Sequence, residues 1–354
     1  MTDLFIKELE RLELDAMLVS CMNNVKYLSG FKGTAGQLFI TKEAGYLITD
    51  FRYFIQAKEQ TSNFEVIDIA EGEEKIFKRL CKKHNVKALG FEGEHIAYSR
   101  FSRLIEWFKG IKLVSTEKLT ETLRMIKCRE ETELIRKACS IADNAFEKVF
   151  PNIKKGISEL EVAAMLEYEM KKAGATAPSF ETIVASGKRS AMPHGTASEK
   201  IIENGDIVVL DFGCVYKGYC SDITRTVAVG DITNKQTDIY TKVLTVQEEC
   251  LKLIKPGAET KEIELSARKM FKTWGIEKHF GHSLGHGIGL DIHELPTVSR
   301  VSPYILETGM VITDEPGIYI ENEFGVRIED SVLVTETGYE RLTKSSKELR
   351  ICGK

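Results

Sequence analysis

The 354-residue chain carries an internal repeat. Ile153-Lys154-Lys155-Gly156 returns as Ile254-Lys255-Pro256-Gly257, Glu161-Val162 as Glu262-Ile263, and Gly174 as Gly275, all at one offset of 101 residues. The helical stretches ahead of these landmarks, Glu133 to Phe150 and about Asn234 to Leu251, fall in the same register. In the first, apolar residues from Leu134 to Val149 recur at helical spacing and Pro151 ends the helix. Ser158-Glu159-Leu160-Glu161 then reads as a capping box opening a second helix to about Lys172, closed by Gly174. A duplicated chain is expected to fold into two pseudo-symmetric halves facing each other across a cleft. A chemical group carried by one half is therefore expected in the other.

The acidic residues follow this expectation. Asp211 comes after the apolar run Ile207-Val208-Val209-Leu210, which reads as a buried strand, where an unpaired carboxylate is costly. If Lys217-Gly218 is a two-residue hairpin loop, Asp222 lies opposite Gly213, which shares a face with Asp211. Both carboxylates then point the same way and need a cation or a shared proton. On this hairpin alone, a turn aspartate plus a strand-end aspartate in water explain the pair equally well. The second half supplies its own pair: Met310 to Asp314 is an apolar strand running into Glu315, and Gly325 to Asp330 is another carrying Glu329. Four carboxylates in one cleft cannot all ionise without cations.

The segment GHSLGHGIGLDIHE, from Gly281 to Glu294, adds an imidazole. Its HxxxH spacing at His282 and His286 would suit zinc on a helix. Gly281, Gly285, Gly287 and Gly289 argue against a helix, and the glutamate of HExxH is absent. The glycines instead let the backbone pass close to a site while His286 reaches in. Four carboxylates and one imidazole form a hard, oxygen-rich set that suits Mn²⁺ or another divalent first-row ion, with Co²⁺ or Zn²⁺ as alternatives. Two such ions at about 3.5–4 Å would make a bridging hydroxide at neutral pH and clamp the oxyanion of an attacked carbonyl, which is the chemistry of hydrolysis.

The rest of the chain narrows the classes. All seven prolines lie at or after Pro151, and five of the seven histidines fall between His194 and His293, so the chemistry belongs to the second part. With 49 Lys plus Arg against 53 Asp plus Glu, the net charge of −4 gives no reason to expect nucleic acid or an acidic membrane as partner. There is no apolar run of about 18 residues and no signal-peptide core, so a cytoplasmic protein is expected. The eight cysteines are scattered without a CxxC pair and read as reduced core residues, with Cys214 and Cys220 merely near the site. From residue 1 to about 120 helices and strands alternate as in an α/β layer domain. No cluster of titratable residues at ligand spacing is visible there, and His84 and His95 read as surface residues. Glu117 to Glu131 is read as the linker, with the domains taken as 1–122 and 123–354.

Asp211 and Asp222 in LDFGCVYKGYCSDITRT, His286 in GHSLGHGIGLDIHE, Glu315 in TDEPGIY and Glu329 in GVRIED resemble the five metal ligands of the pita-bread metallopeptidases. That group includes methionine aminopeptidase, aminopeptidase P, prolidase and the metal-free creatinase. The resemblance covers about residues 125 to 354, and the first part looks like the creatinase-type N-terminal domain of the proline-specific members. It implies an α/β N-terminal domain followed by a pseudo-twofold α+β pita-bread domain. By this resemblance Asp211 binds one metal, Asp222 and Glu329 bridge both, and His286 and Glu315 complete the second. Glu315 also shuttles the proton of the attacking water. His194, in SGKRSAMPHG, donates to the developing oxyanion, His293 lies beside the scissile bond and His282 lines the proline side of the cleft. Arg327 holds a bridging carboxylate in place.

The resemblance also implies peptide substrates with proline at the second position, and a homodimer. An N-terminal domain argues against methionine aminopeptidase, and the complete ligand set argues against creatinase and against relatives that use the fold only to bind. Prolidases commonly carry an arginine shortly after the His-Glu pair to hold a dipeptide's free carboxylate; Thr297 stands there, and threonine cannot form a bidentate clamp. This favours an Xaa-Pro aminopeptidase acting on longer peptides. The alternative is an Xaa-Pro dipeptidase in which Arg300 or a neighbouring subunit serves.

Overall fold

A computed structural model describes residues 2–353. The chain divides into two compact units, Met1–Arg124 and Met125–Lys354. The boundary falls within the stretch read as a linker, which itself folds as a short helix, Leu119–Arg124.

The first unit is built on a six-stranded mixed sheet in the spatial order 65–68, 45–49, 37–41, 16–19, 88–92 and 112–116. Helices Glu73–Lys83 and Tyr98–Trp107 come from amphipathic stretches. Phe39, Tyr46, Phe77 and Phe108 form the aromatic centre of its core. Helix Met22–Ser29 was not legible in the sequence: it is eight residues long, starts with Met22-Asn23-Asn24 and is closed by Gly30 at φ 79°. The reading of this unit as free of titratable clusters needs correction. The fold brings the ligand atoms of Cys21, His95 and Glu121 to within 4.8 Å of one another from distant positions.

In the second unit the repeat is visible in the backbone. Helices Arg129–Val149 and Glu159–Lys172 of the first half match Asn234–Leu251 and Thr260–Thr273 of the second. The echoing glycines adopt the same left-handed conformation, at φ 95° and 84° for Gly156 and Gly257, and 104° and 70° for Gly174 and Gly275. The Gly156 N–H donates to the Ile202 carbonyl, and that of Gly257 to Leu306. Ser158 bridges Ile201 as Glu259 bridges Ile305. The offset is thus 101 residues through the helices and 104 on the strand side, so three residues enter between them. The capping box at Ser158 and Glu161 forms as the sequence implies.

Each half contributes an antiparallel core to its sheet: 183–186, 207–212 and 223–229 in the first, and 285–287, 311–314 and 330–334 in the second. The halves are stitched along two of these strands. The Thr226 hydroxyl donates to the Arg327 carbonyl and accepts from the Arg327 N–H. The Glu329 N–H donates to the Thr224 carbonyl. Arg225, only 1% exposed, donates to the carbonyls of Thr224, Glu329 and Ser345 and to the carboxylate of Asp330. Six cysteines are buried as read, but Cys21 is half-buried and Cys128 exposed, because each caps the start of a helix.

Removing the buried guanidinium leaves Asp330 and several carbonyls short of a donor. Arg225→Leu should therefore cost about 3 kcal/mol in the second unit. Each unit holds one tryptophan, Trp107 and Trp274. Urea unfolding followed by Trp274 fluorescence in a Trp107→Phe background should show the midpoint fall, and an unchanged midpoint would refute this role for Arg225.

Candidate metal centre

The hairpin that opens the site has the expected loop. Lys217 and Gly218, at φ 48° and 90°, form a two-residue turn with Tyr216 opposite Tyr219 and Val215 opposite Cys220. The same register continues past the turn, where Phe212 pairs with Ile223 and Asp211 with Thr224. Asp222 therefore falls opposite Gly213, and its carboxylate meets that of Asp211. A Cβ on Gly213 would sit 1.9 Å from the Ser221 carbonyl, so only glycine lets the two strands close here.

Strand Val311–Asp314 delivers Glu315 as the first residue past its end. Glu329 lies not within one continuous strand, as the sequence suggested, but in the break between Phe324–Arg327 and Asp330–Val334. Ligand oxygens of Asp211, Asp222 and Glu329 lie within 4.8 Å of one another. His286, on strand Gly285–Gly287, places Nε2 3.3 Å from Glu315 and 3.6 Å from Asp222. Its Nδ1 is 3.1 Å from the Gly287 carbonyl, which can only accept. That contact puts the proton on Nδ1 and aims Nε2 at the carboxylates. Here too glycine is required, since Cβ atoms on Gly285 and Gly287 would lie 2.1 Å and 2.2 Å from the Thr313 and Leu295 carbonyls.

Three further histidines, His194, His282 and His293, neighbour this group. The His293 ring stands 4.3 Å from that of His286. His194 is exposed, in the turn that follows the short helix Gly187–Ala191. His282 Nε2 is 2.9 Å from the Tyr319 hydroxyl.

Arg327 ties these parts together in a way the sequence did not reveal. It pairs with Asp211 at 2.5 Å, the carboxylate assigned by resemblance to a single metal, and not directly with either bridging one. Its Nε donates to the Thr224 hydroxyl, which donates in turn to Glu329 at 2.7 Å. Its Nη1 donates to Tyr319. Sequence reasoning missed Thr224 and Tyr319, although both sit within the quoted motifs. It also missed Glu159, a fully buried carboxylate that accepts from Ser186, Arg189 and Ser198 and so fixes both ends of the loop carrying His194.

The electrostatics are those of an overcrowded acidic site. Burial, then Glu329 and Asp211, pushes Asp222 well above the usual carboxylate range. Burial, then Glu315 and Asp211, does the same to Glu329. Asp211 is raised by burial against the opposing charge of Arg327. Burial also works against the charge on Glu315, but the His286 hydrogen bond and charge bring it down to about 2. Asp211 Oδ1 and Glu329 Oε1 are buried with no hydrogen-bond partner. Two orphaned carboxylate oxygens beside a third carboxylate and a directed imidazole are the arrangement that divalent cations satisfy.

A duplicated α+β unit closing on such a cluster defines a metallohydrolase of the pita-bread fold. Residues 133–336 match metallopeptidase family M24, and residues 2–126 the creatinase/prolidase N-terminal domain. The chain belongs to metallopeptidase family M24. It is 43% identical over 346 residues to the Xaa-Pro dipeptidase of Pyrococcus furiosus, covering 97% of each chain. A solved Xaa-Pro dipeptidase from Bacillus anthracis superposes with a TM-score of 0.96 at 44% identity, covering 99% of this chain and 98% of the other. A solved X-Pro aminopeptidase from Thermotoga maritima does so with a TM-score of 0.92 at 38% identity, covering 99% of both. Among the described residues no helix is long and apolar enough to cross a membrane.

Asp222 and Glu329 hold protons at pH values where ordinary carboxylates have lost them, and a bound cation favours their ionised forms. Divalent-ion binding should therefore release protons and weaken on acidification. Calorimetric titrations with Mn²⁺ in buffers of different ionisation enthalpy check this, and a binding heat independent of the buffer would contradict it.

Proposed function

We propose that the chain is a metal-dependent exopeptidase that cleaves the bond between an N-terminal residue and proline. Asp211, Asp222, His286, Glu315 and Glu329 would hold two divalent ions. Mn²⁺ suits the oxygen-rich donors best. The observation that carries this reading is the pair of buried, unpartnered oxygens on Asp211 and Glu329, clustered with Asp222 and joined to Glu315 through His286. When bound, the ions would lower the pKa of the attacking water and polarise the scissile carbonyl.

The chain's own residues supply the rest. Glu315, whose Oε1 lies 3.3 Å from His286 Nε2, is the base that takes the water's proton and returns it to the leaving proline nitrogen. His293 stands beside the ligand His286, and His194 is exposed. His194 donates to the developing oxyanion and His293 contacts the substrate beside the scissile bond. Burial lowers His282, so it meets the proline ring as a neutral imidazole anchored on Tyr319. Arg327 and Thr224 keep Asp211 and Glu329 from moving as charge develops.

Dipeptides are the first substrate reading, because the Pyrococcus and Bacillus relatives are Xaa-Pro dipeptidases. Longer peptides are the second, favoured by Thr297. It pairs across from His286, is exposed and engages Ser302 with its hydroxyl, offering no guanidinium to a free carboxylate. A homodimer belongs to the same proposal, with light scattering as its check.

A Mn²⁺-supplemented assay comparing Xaa-Pro dipeptides with tripeptides and longer peptides separates the two readings. Asp222→Asn should bring cleavage of both sets to background, and retained turnover would sink the metal-centre assignment. If position 297 faces the substrate carboxylate, Thr297→Arg should raise dipeptide kcat/KM by about tenfold or more, the value of one charge-assisted hydrogen bond, without improving longer peptides.

A further inference from the structure

The first unit contains a second group of potential ligands, of a different chemical kind. Cys21 caps helix Met22–Ser29, His95 lies in the turn after strand Ala88–Glu92, and Glu121 is on helix Leu119–Arg124. Their sulfur, nitrogen and oxygen atoms lie within 4.8 Å of one another, and His95 Nε2 is 3.0 Å from Glu121 Oε1.

Buried groups outside the trio hold it in place. One oxygen of Glu92 accepts from the N–H of Ser20 and of Cys21, at 2.6 Å and 2.7 Å, which fixes the cysteine's backbone. The Glu92 carbonyl accepts from the His95 N–H at 3.1 Å. Asn24, fully buried, spends one amide hydrogen on Glu92 and the other on Glu121, both at 2.7 Å, while Arg124 donates to its carbonyl oxygen. Glu92 and Asn24 thus anchor the backbone at Cys21 and His95 and orient the carboxylate of Glu121, bringing the three candidate ligands to one place.

From this arrangement we infer that Cys21, His95 and Glu121 form a zinc site, with the fourth position open to water. A thiolate, an imidazole and a carboxylate are the borderline donors that zinc selects, whereas the oxygen-rich centre of the second unit selects harder ions. On binding, the proton of the Cys21 thiol and any second ring proton on His95 are released to the buffer, His95 stays a neutral imidazole and the ion remains Zn²⁺. The site joins segments that are 74 and 26 residues apart, so an ion there staples the first unit by closing long loops. This goes beyond the proposed peptidase activity and does not depend on it.

Co²⁺ reports the site, because only a thiolate ligand gives an intense near-ultraviolet charge-transfer band. The metal-stripped full-length chain titrated with Co²⁺ should develop that band. Cys21→Ser should abolish it, whereas Cys128→Ser and Asp222→Asn should leave it. Serine is a preferred helix cap, so Cys21→Ser keeps the fold. His95→Gln gives a second, independent variant. Each of Cys21→Ser and His95→Gln should lower bound Zn²⁺ by one equivalent and remove a zinc-dependent rise in the unfolding midpoint reported by Trp107 in a Trp274→Phe background. Absence of the band, a band that survives Cys21→Ser, or zinc stoichiometry equal in all variants would overturn the site.

Discussion

Mutual repulsion among Asp211, Asp222, Glu315 and Glu329 is the constraint on which the second unit depends. Carboxylates this close and this buried are unstable as a group, and the protein offsets them with a few fixed positive or donating partners. Arg327 faces Asp211, His286 faces Glu315, and Thr224 donates to Glu329. These partners leave one oxygen of Asp211 and one of Glu329 unsatisfied. A site compensated to this degree and no further keeps those two oxygens open to a cation, which would displace the protons that Asp222 and Glu329 retain. Complete internal compensation would have given a stable but inert salt-bridge cluster.

The duplication explains how such a cluster is assembled. Each half presents two acids at the ends of its strands, and neither pair is surrounded by enough charge of its own. The cross-strand bonds of Thr224, Thr226 and Arg225 to residues 327–330 lock one half's hairpin against the other's, which brings the pairs together. The separation from Asp211 to Glu315 is 104 residues and from Asp222 to Glu329 is 107, against 101 between the helices. The helical frame repeats strictly while the loops drift, as expected if the frame carries the packing and the loops carry the chemistry.

Much of this was legible because it is local. The hairpin turn, the capping box and the strand-end acids each declare themselves within a few residues, the repeat shows as short echoes at one constant offset, and alternation along a strand decides which side chains share a face. The helix read over Glu133 to Phe150 followed from hydrophobic spacing and spans Arg129–Val149 in the fold. What escaped was long-range. Arg327 was placed beside the site by its neighbour Glu329, but its partner Asp211 lies 116 residues away and nothing local selects it. Glu159 reads as an exposed first-turn residue of a capped helix, yet it is buried under a loop that returns 27 to 39 residues later. Cys21, His95 and Glu121 have no common motif, because the sheet and not the sequence brings them together.

The two halves also differ in an informative place. Glu159 and Thr260 are equivalent, 101 residues apart at the start of the second helix of each half. Their partners Ser198 and Ser302 are equivalent at the offset of 104. In the first half the carboxylate is long and charged enough to gather Ser186, Arg189 and Ser198 at once, closing the ends of the loop that carries His194. In the second half the shorter hydroxyl reaches Ser302, which bonds the Thr297 carbonyl and leaves the segment after His293 with an exposed side. One inherited contact therefore holds both substrate-side segments, tightly in the first half and loosely in the second. The tighter grip belongs to the histidine proposed to meet developing charge, where a displaced donor costs rate. On the proposed reading the looser one belongs to the side that admits the substrate's far end, where Thr297 and Arg300 are exposed.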